Sequence, residues 1–175
     1  MGFATIRTAI AAFLQTALTN GDLPSVASVS AAPQPVNSAQ VFANLARTSS
    51  GSEPGIGAVV WVYLSDSTSQ LYAPPVNYAD QFTCDLIVLT LDPSGNAVNA
   101  QTISDNALDE LKRLIKSNRT ANAANVIFTW GVGPALAAGH PDIMISQDLP
   151  ELVGKTSVLI PASIKVVVND LTPQQ

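Results

Sequence analysis

Residues 82–117 read FTCDLIVLTLDPSGNAVNAQTISDNALDELKRLIKS. The apolar and β-branched run over 79–91 is typical of a strand buried in a sheet. Residues 92–95 (DPSG) have the composition of a type I turn, which ends that strand. A helix is then predicted over 104–117. The stretch therefore predicts a strand, a turn and a helix that packs on a β-sheet.

The helix is predicted from its spacing and from its charges. Ser104 is the expected N-cap. An apolar stripe recurs at helical spacing and consists of Ala107, Leu108, Leu111, Leu114 and Ile115. Acidic residues lie towards the start of the helix, and a basic cluster formed by Lys112, Arg113, Lys116 and Arg119 lies towards its end. This order suits the helix dipole. The basic cluster is either a solvated helix end or a surface that contacts an acidic neighbour, such as another copy of the chain.

The last strand has the clearest period of two. Its alternate residues are Val158, Ile160, Ala162, Ile164, Val166 and Val168. This pattern indicates a strand with one face on the core. Pro161 has no N–H to donate, so its end of the strand is expected at an edge or a bulge.

Further elements complete the prediction. Residues 4–19 have the stripe of an amphipathic helix, which Asn20-Gly21 ends. Strands are predicted over 26–29 and over 58–64 (AVVWVYL), and a turn is predicted at 66–69. Two further strands are predicted over 126–130 and 143–146, and these two are expected to pair with each other. The predicted fold class is α+β: an antiparallel or mixed sheet with two main helices packed on it and long irregular loops. Residues 1–175 are expected to form a single domain, with an extended arm at 30–57.

Composition restricts the function. Hydrophobic residues make up 47% of the chain and charged residues 12%. The surface is therefore either rich in small polar residues or covered by neighbours in an assembly. The net charge of −5 argues against a protein that grips DNA, but not against a wall past which DNA moves. Cys84 is the only cysteine and is expected to be a buried, inert thiol.

No arrangement of residues predicts a catalytic, cofactor or metal site. The only histidine, His140, has Asp142 as its sole neighbouring carboxylate. Gly131 and Gly133 match the start of a dinucleotide fingerprint, but Leu136 stands where its third glycine or alanine belongs. No segment reaches the roughly 18 apolar residues that a membrane helix needs. A non-enzymatic protein is therefore expected.

The order of the elements resembles that of the tail terminator (tail completion) proteins of long-tailed bacteriophages. The segments that carry this resemblance are IRTAIAAFLQTAL at 6–18, AVVWVYL at 58–64, FTCDLIVLTL at 82–91, SDNALDELKRLIKS at 104–117 and VLIPASIKVVV at 158–168. They follow the family's order of N-terminal helix, strand, long strand, helix and closing strand. The family has no catalytic or binding motif to match.

The resemblance implies a structural virion protein, assembled in the host cytoplasm, that forms a ring of typically six copies at the head-proximal end of the tail. Its partners would be its own copies, the major tail tube protein and a head-completion or connector protein. DNA would pass through the lumen without specific binding, and no membrane would be involved. One alternative is another neck protein, such as a connector or a stopper. A second is a non-catalytic module that binds a small molecule or peptide, with an apolar pocket near Trp61, Tyr63 and Trp130.

Overall fold

The computed structural model describes residues 2–31, 57–72, 77–131, 143–153 and 156–171. Its helices are α1 (Phe3–Asn20) and α2 (Ala97–Ser117). Its strands are β1 (Val26–Ser30), β2 (Ala58–Tyr72), β3 (Asn77–Asp92), β4 (Thr120–Ala123), β5 (Val126–Trp130), β6 (Met144–Gln147), β7 (Glu151–Val153) and β8 (Ser157–Asp170). Residues 32–56 of the predicted arm lie outside the described part of the chain.

The strands form one mixed sheet. Its main order is β1-β2-β3-β8-β5-β4, and β6 and β7 also pair with β8. The β1–β2 pair is parallel, and the other pairs are antiparallel. With two helices packed on this sheet, the predicted α+β fold class is confirmed. The expected pairing of 143–146 with 126–130 is wrong, because both β6 and β5 use the long β8 as their partner.

Strands β2 and β3 form a long antiparallel pair from Ala58↔Thr90 to Tyr72↔Asn77. The turn predicted at 66–69 is wrong. The chain instead makes a register shift between Leu64 and Asp66 and continues as a strand. The polar residues of this stretch favour a turn locally, but β3 is long enough to supply ladder partners that hold them extended.

Strand β8 confirms its alternating pattern, because all six predicted core residues are buried. Of the two positions expected for Pro161, an edge or a bulge, the edge is wrong, since Pro161 pairs with Leu89 of β3 inside the sheet. Its carbonyl accepts a hydrogen bond from the Asp148 N–H (2.9 Å). The N–H and C=O of a strand residue point towards the same neighbour. The Pro161 nitrogen, which carries no hydrogen, therefore faces the connection between β6 and β7. The hydrogen-bond ladder along this side of β8 is interrupted there.

Helix α1 packs its stripe on the sheet, with Ile6, Ile10 and Leu14 fully buried. Gly21 ends the helix with a left-handed φ of 83°. Its N–H donates to the Leu18 carbonyl (3.1 Å), and the Asp22 N–H donates to the Ala17 carbonyl (3.0 Å). These two bonds form a Schellman motif. The predicted helix and its C-terminal stop are therefore confirmed.

Helix α2 is longer than predicted. It begins at Ala97 after the N-cap Asn96, whose side chain accepts from the Asn99 N–H (3.1 Å). Ser104 is therefore not the N-cap, but a buried residue inside the helix. The predicted stripe is confirmed, because all five of its residues are buried. The helix starts early because Asn96, directly after the turn, already satisfies one of the first free N–H groups.

The two faces of the sheet bury separate apolar clusters. The larger cluster lies under both helices and includes Val60, Leu86 and Val166. A smaller cluster, on the residues that alternate with these, consists of Val59, Trp61, Leu89, Leu91 and Leu159. Both faces of the central strands are therefore buried, as their nearly continuous apolar sequences require.

Candidate assembly surfaces

Three of the four predicted contact residues lie together. Asp109, Lys112, Arg113, Lys116 and Ser117, in the C-terminal half of α2, line a shallow depression of about 500 Å³, here called the basic depression. Arg119 is not among these lining residues. It lies between α2 and β4, where its carbonyl accepts from the Trp130 N–H (2.9 Å). The structure therefore brings together Lys112, Arg113 and Lys116 from the predicted set.

The basic depression follows from how α2 packs. The apolar stripe faces the sheet, so the intervening cations are left towards solvent, with Arg113 and Lys116 exposed. The Arg113 guanidinium donates to the Asp22 carbonyl (3.3 Å) just beyond α1. Asp109 is the one carboxylate among the described lining residues. Three cations and one carboxylate leave a locally positive surface on an acidic protein.

Glu110, next to the depression, links α2 to Ser25, the residue directly before β1. Its Oε1 accepts from the Ser25 hydroxyl (2.7 Å), and its Oε2 accepts from the Ser25 N–H (3.0 Å). Ser25 and Glu110 are 85 positions apart, and no sequence signal linked them. This contact fixes the end of α2 that carries the basic depression.

Replacing Glu110 by alanine is expected to lower the free energy of unfolding by about 1–2 kcal/mol. The variant loses both hydrogen bonds from Ser25, and bonds to a charged acceptor are stronger than the average one. Urea unfolding at neutral pH measures the change. The control is Asp109→Ala, the neighbouring exposed carboxylate, which is expected to stay within about 0.5 kcal/mol of the wild type. Equal effects of the two substitutions would contradict the role given to Ser25.

A second surface, which sequence reasoning missed, is the acidic edge, defined as residues 144–152. All four residues of β6 are exposed. The large apolar side chains of the whole acidic edge are also exposed: 69% for Met144, 42% for Ile145, 84% for Leu149 and 72% for Leu152. Among the described strands, β6 and β7 pair only with β8, which leaves their outer side open. Open strand edges with exposed apolar side chains are ready sites for association.

Hydrogen bonds hold the acidic edge in place. The Gln147 amide nitrogen donates to the Ser104 hydroxyl (2.9 Å) and to Asp105 Oδ1 (3.2 Å) of α2. The Asp148 N–H donates to the Pro161 carbonyl (2.9 Å). Asp148 and Glu151 are exposed and make the edge acidic. The exposed leucines and carboxylates therefore lie on a fixed part of the fold.

The aromatic pocket considered for a binding module is not formed by its three residues. Trp61 is buried in the smaller cluster, whereas Trp130 is buried in the larger cluster under the helices. Tyr63 is 43% exposed. The two indoles therefore lie on opposite faces of the sheet and do not share a cavity.

The remaining residues that the sequence analysis weighed as possible site residues are Cys84, the glycines of the dinucleotide fingerprint, and His140 with Asp142. Cys84 is fully buried, so the predicted burial of its thiol is confirmed, and burial together with the nearby Asp85 carboxylate raises the pKa of that thiol. Gly131 accepts a hydrogen bond from Asn169 Nδ2 (2.5 Å). His140, Asp142, Gly133 and Leu136 lie outside the described residues. Within the described ranges, no group of three or more His, Cys, Asp or Glu residues is placed to hold a metal ion.

No protein family model matches the chain, and no curated protein is significantly similar to it in sequence. Neither helix of the described chain combines the length and the apolar character that crossing a membrane requires.

Proposed function

We propose that the chain is a structural virion protein of a long-tailed bacteriophage. It forms a ring at the head-proximal end of the tail, ends polymerisation of the tail tube and provides the surface to which the head joins. The ring is expected to contain six copies, as is typical of the tail terminators that the chain resembles. The protein acts by binding other proteins and carries out no reaction.

The observation that carries this proposal is the acidic edge. Four large apolar side chains are exposed on β6, β7 and their connection, and no other described strand pairs with the outer side of β6 or β7. Leaving them in water forgoes roughly 25 cal/mol for each Å² of apolar surface that a partner would bury. A surface of this kind favours a protein that is completed by its neighbours.

The element order supports the tail-terminator class in particular. The helix, strand, long strand, helix and closing strand on which the resemblance rests correspond to α1, β2, β3, α2 and β8. The net charge of −5 suits a lumen through which DNA passes without being held. The remaining partners, the tail tube protein and the head-completion protein, are those that such a position requires.

Immunogold electron microscopy of intact particles tests the position. Antibodies raised against the purified chain are expected to label the junction of head and tail, at one site per particle. The unattached heads and tubes from a phage that lacks the gene, which are expected to bind no antibody, provide the control for antibody specificity. Gold along the tube, at the far end of the tail, or on no particle at all would contradict the proposal.

A further inference from the structure

We infer that the acidic edge of one copy docks on the basic depression of the next copy. This inference rests on the proposed ring and names the two surfaces that would hold it together. The occupant of the basic depression is thus a second copy of the chain, through its residues 148–152 (DLPEL).

The acidic edge of a chain does not occupy the basic depression of the same chain, since none of residues 144–152 lines that depression. Ala100, in the first turns of α2, packs with Val158 and Ile160 of β8. Leu152 of the acidic edge pairs with Val158, which places it at that end of the helix. Gln147 of the edge contacts α2 at Ser104 and Asp105, and the depression begins about one turn further along the helix, at Asp109. Because pairing with β8 and the Gln147 hydrogen bonds hold the edge outside its own depression, the depression is left for another molecule.

Charge selects these two surfaces for each other. Asp148 and Glu151 are exposed on the acidic edge, and Lys112, Arg113 and Lys116 line the depression. Copies of a chain with a net charge of −5 repel each other in general, so a place where opposite charges meet favours association there.

The other charged residues near the two surfaces do not remove their charge complementarity. Asp109 opposes docking but is outnumbered by three cations among the lining residues. Glu110, next to the depression, already accepts two hydrogen bonds from Ser25, and the exposed Asp22 lies beside Arg113. Asp105 accepts hydrogen bonds from Gln101 and Gln147. Lys165, which pairs with Met144 in the ladder, is 3.6 Å from the Asp85 carboxylate. The carboxylates of Asp148 and Glu151 thus remain the exposed acidic groups on the edge itself.

The contact joins different surfaces of two copies, so it is heterologous. A contact of this kind repeats from copy to copy, and it closes into a ring when the rotation between neighbours divides a full turn. Leu149 and Leu152, which flank Pro150 and Glu151, would supply the apolar part of the contact. The docking therefore explains both the charge and the exposed leucines of the edge.

Charge reversal on each side tests the docking. One variant carries Lys112→Glu and Lys116→Glu, and the other carries Asp148→Lys and Glu151→Lys. Each alone is expected to weaken self-association, measured by sedimentation of the chain with and without its tail tubes, by more than about tenfold, because like charges then face each other. The chain with all four substitutions is expected to assemble again, since its surfaces are once more opposite in charge. Asp66→Lys, at an exposed position on β2 that belongs to neither surface, is the control.

Disulfide trapping provides a second measurement. Leu149→Cys and Ser117→Cys in the same chain are expected to give a ladder of linked copies after oxidation of assembled particles. Each single variant is expected to give no ladder, because Cys84 is buried.

The results of these experiments distinguish a failure of the proposed docking from a failure of the proposed ring. Assembly that withstands both charge reversals and gives no ladder would overturn the docking and leave the ring. If Leu149→Cys became linked to a different protein, that protein, and not a second copy of the chain, would be the partner of the acidic edge. A wild-type chain that stays monomeric even on tail tubes would overturn both.

Discussion

Replacing Phe128 by alanine is expected to lower the free energy of unfolding by about 3–5 kcal/mol, the usual effect of removing a large buried aromatic side chain. Phe128 is fully buried on β5. Its ring centroid lies 5.4 Å from that of Trp130 and 6.1 Å from that of Phe13 on α1, both in edge-to-face geometry. The substitution therefore removes apolar contacts between α1 and the sheet and also leaves a cavity.

Urea unfolding, followed by tryptophan fluorescence at a low protein concentration, measures this effect. The matched control is Leu149→Ala, because Leu149 is 84% exposed and its truncation is expected to change monomer stability by less than about 0.5 kcal/mol. If Phe128→Ala were as stable as the control, the packing of α1 on β5 would be wrong.

Replacing Asp92 by asparagine is expected to lower the free energy of unfolding by about 1–3 kcal/mol at neutral pH. Asp92 is fully buried at the junction of β3, the turn and α2. Its Oδ1 accepts from the Ser94 N–H (2.7 Å) and hydroxyl (2.5 Å), and its Oδ2 accepts from Asn99 Nδ2 (2.8 Å). An asparagine would present an amide N–H₂ to donors on one side and would lose those bonds.

The effect of Asp92 is expected to depend on pH. Burial acts to raise the pKa of its carboxyl, but hydrogen bonds from Ser94, Asn99 and Asn96 outweigh it, so the pKa lies below its ordinary value. A lowered folded-state pKa gives stability that is fully present above the unfolded pKa of about 3.9. That stability is lost as the pH falls through the folded-state value.

Unfolding of the wild type and of Asp92→Asn at a series of pH values checks this sign. The difference between them is expected to be constant from pH 7 to about 5 and to shrink below about pH 4. Asp148→Asn, at an exposed carboxyl, is the control and is expected to show little difference at any of these values. A difference that grows as the pH falls would contradict the assignment.

The sequence predicted the elements whose side-chain period is set by burial. The alternation of β8 and the stripes of α1 and α2 reflect one face on the core, and each was found where its period placed it. The glycine stop at Gly21 was also predictable, because its left-handed φ is a local property.

Features that depend on distant partners were not predictable. The polar half of β2 is a strand because β3 lies beside it, and Pro161 is tolerated inside the sheet because the ladder from β6 to β7 breaks opposite its nitrogen. The start of α2 was missed because Asn96 caps a first turn that has little apolar stripe. In each case, tertiary context decided between local alternatives.

The two candidate surfaces differ in the same way, since only one of them could be predicted from the local sequence. The basic depression was predictable because its cations are neighbours on one helix. The acidic edge was not, since the sequence shows that Leu149 and Leu152 are apolar but not that they are exposed. Exposure depends on where β6 and β7 pair along β8, and short strands carry too few residues to specify that pairing.

Electron microscopy of lysates in which this gene carries an early stop codon tests the proposed role most directly. Overlong tubes together with unattached, DNA-filled heads are the predicted result, and supplying the intact gene in trans is expected to restore tails of normal length. Tails of normal length that fail to join heads would move the protein to the head side of the neck. Normal particles would contradict a role in tail assembly.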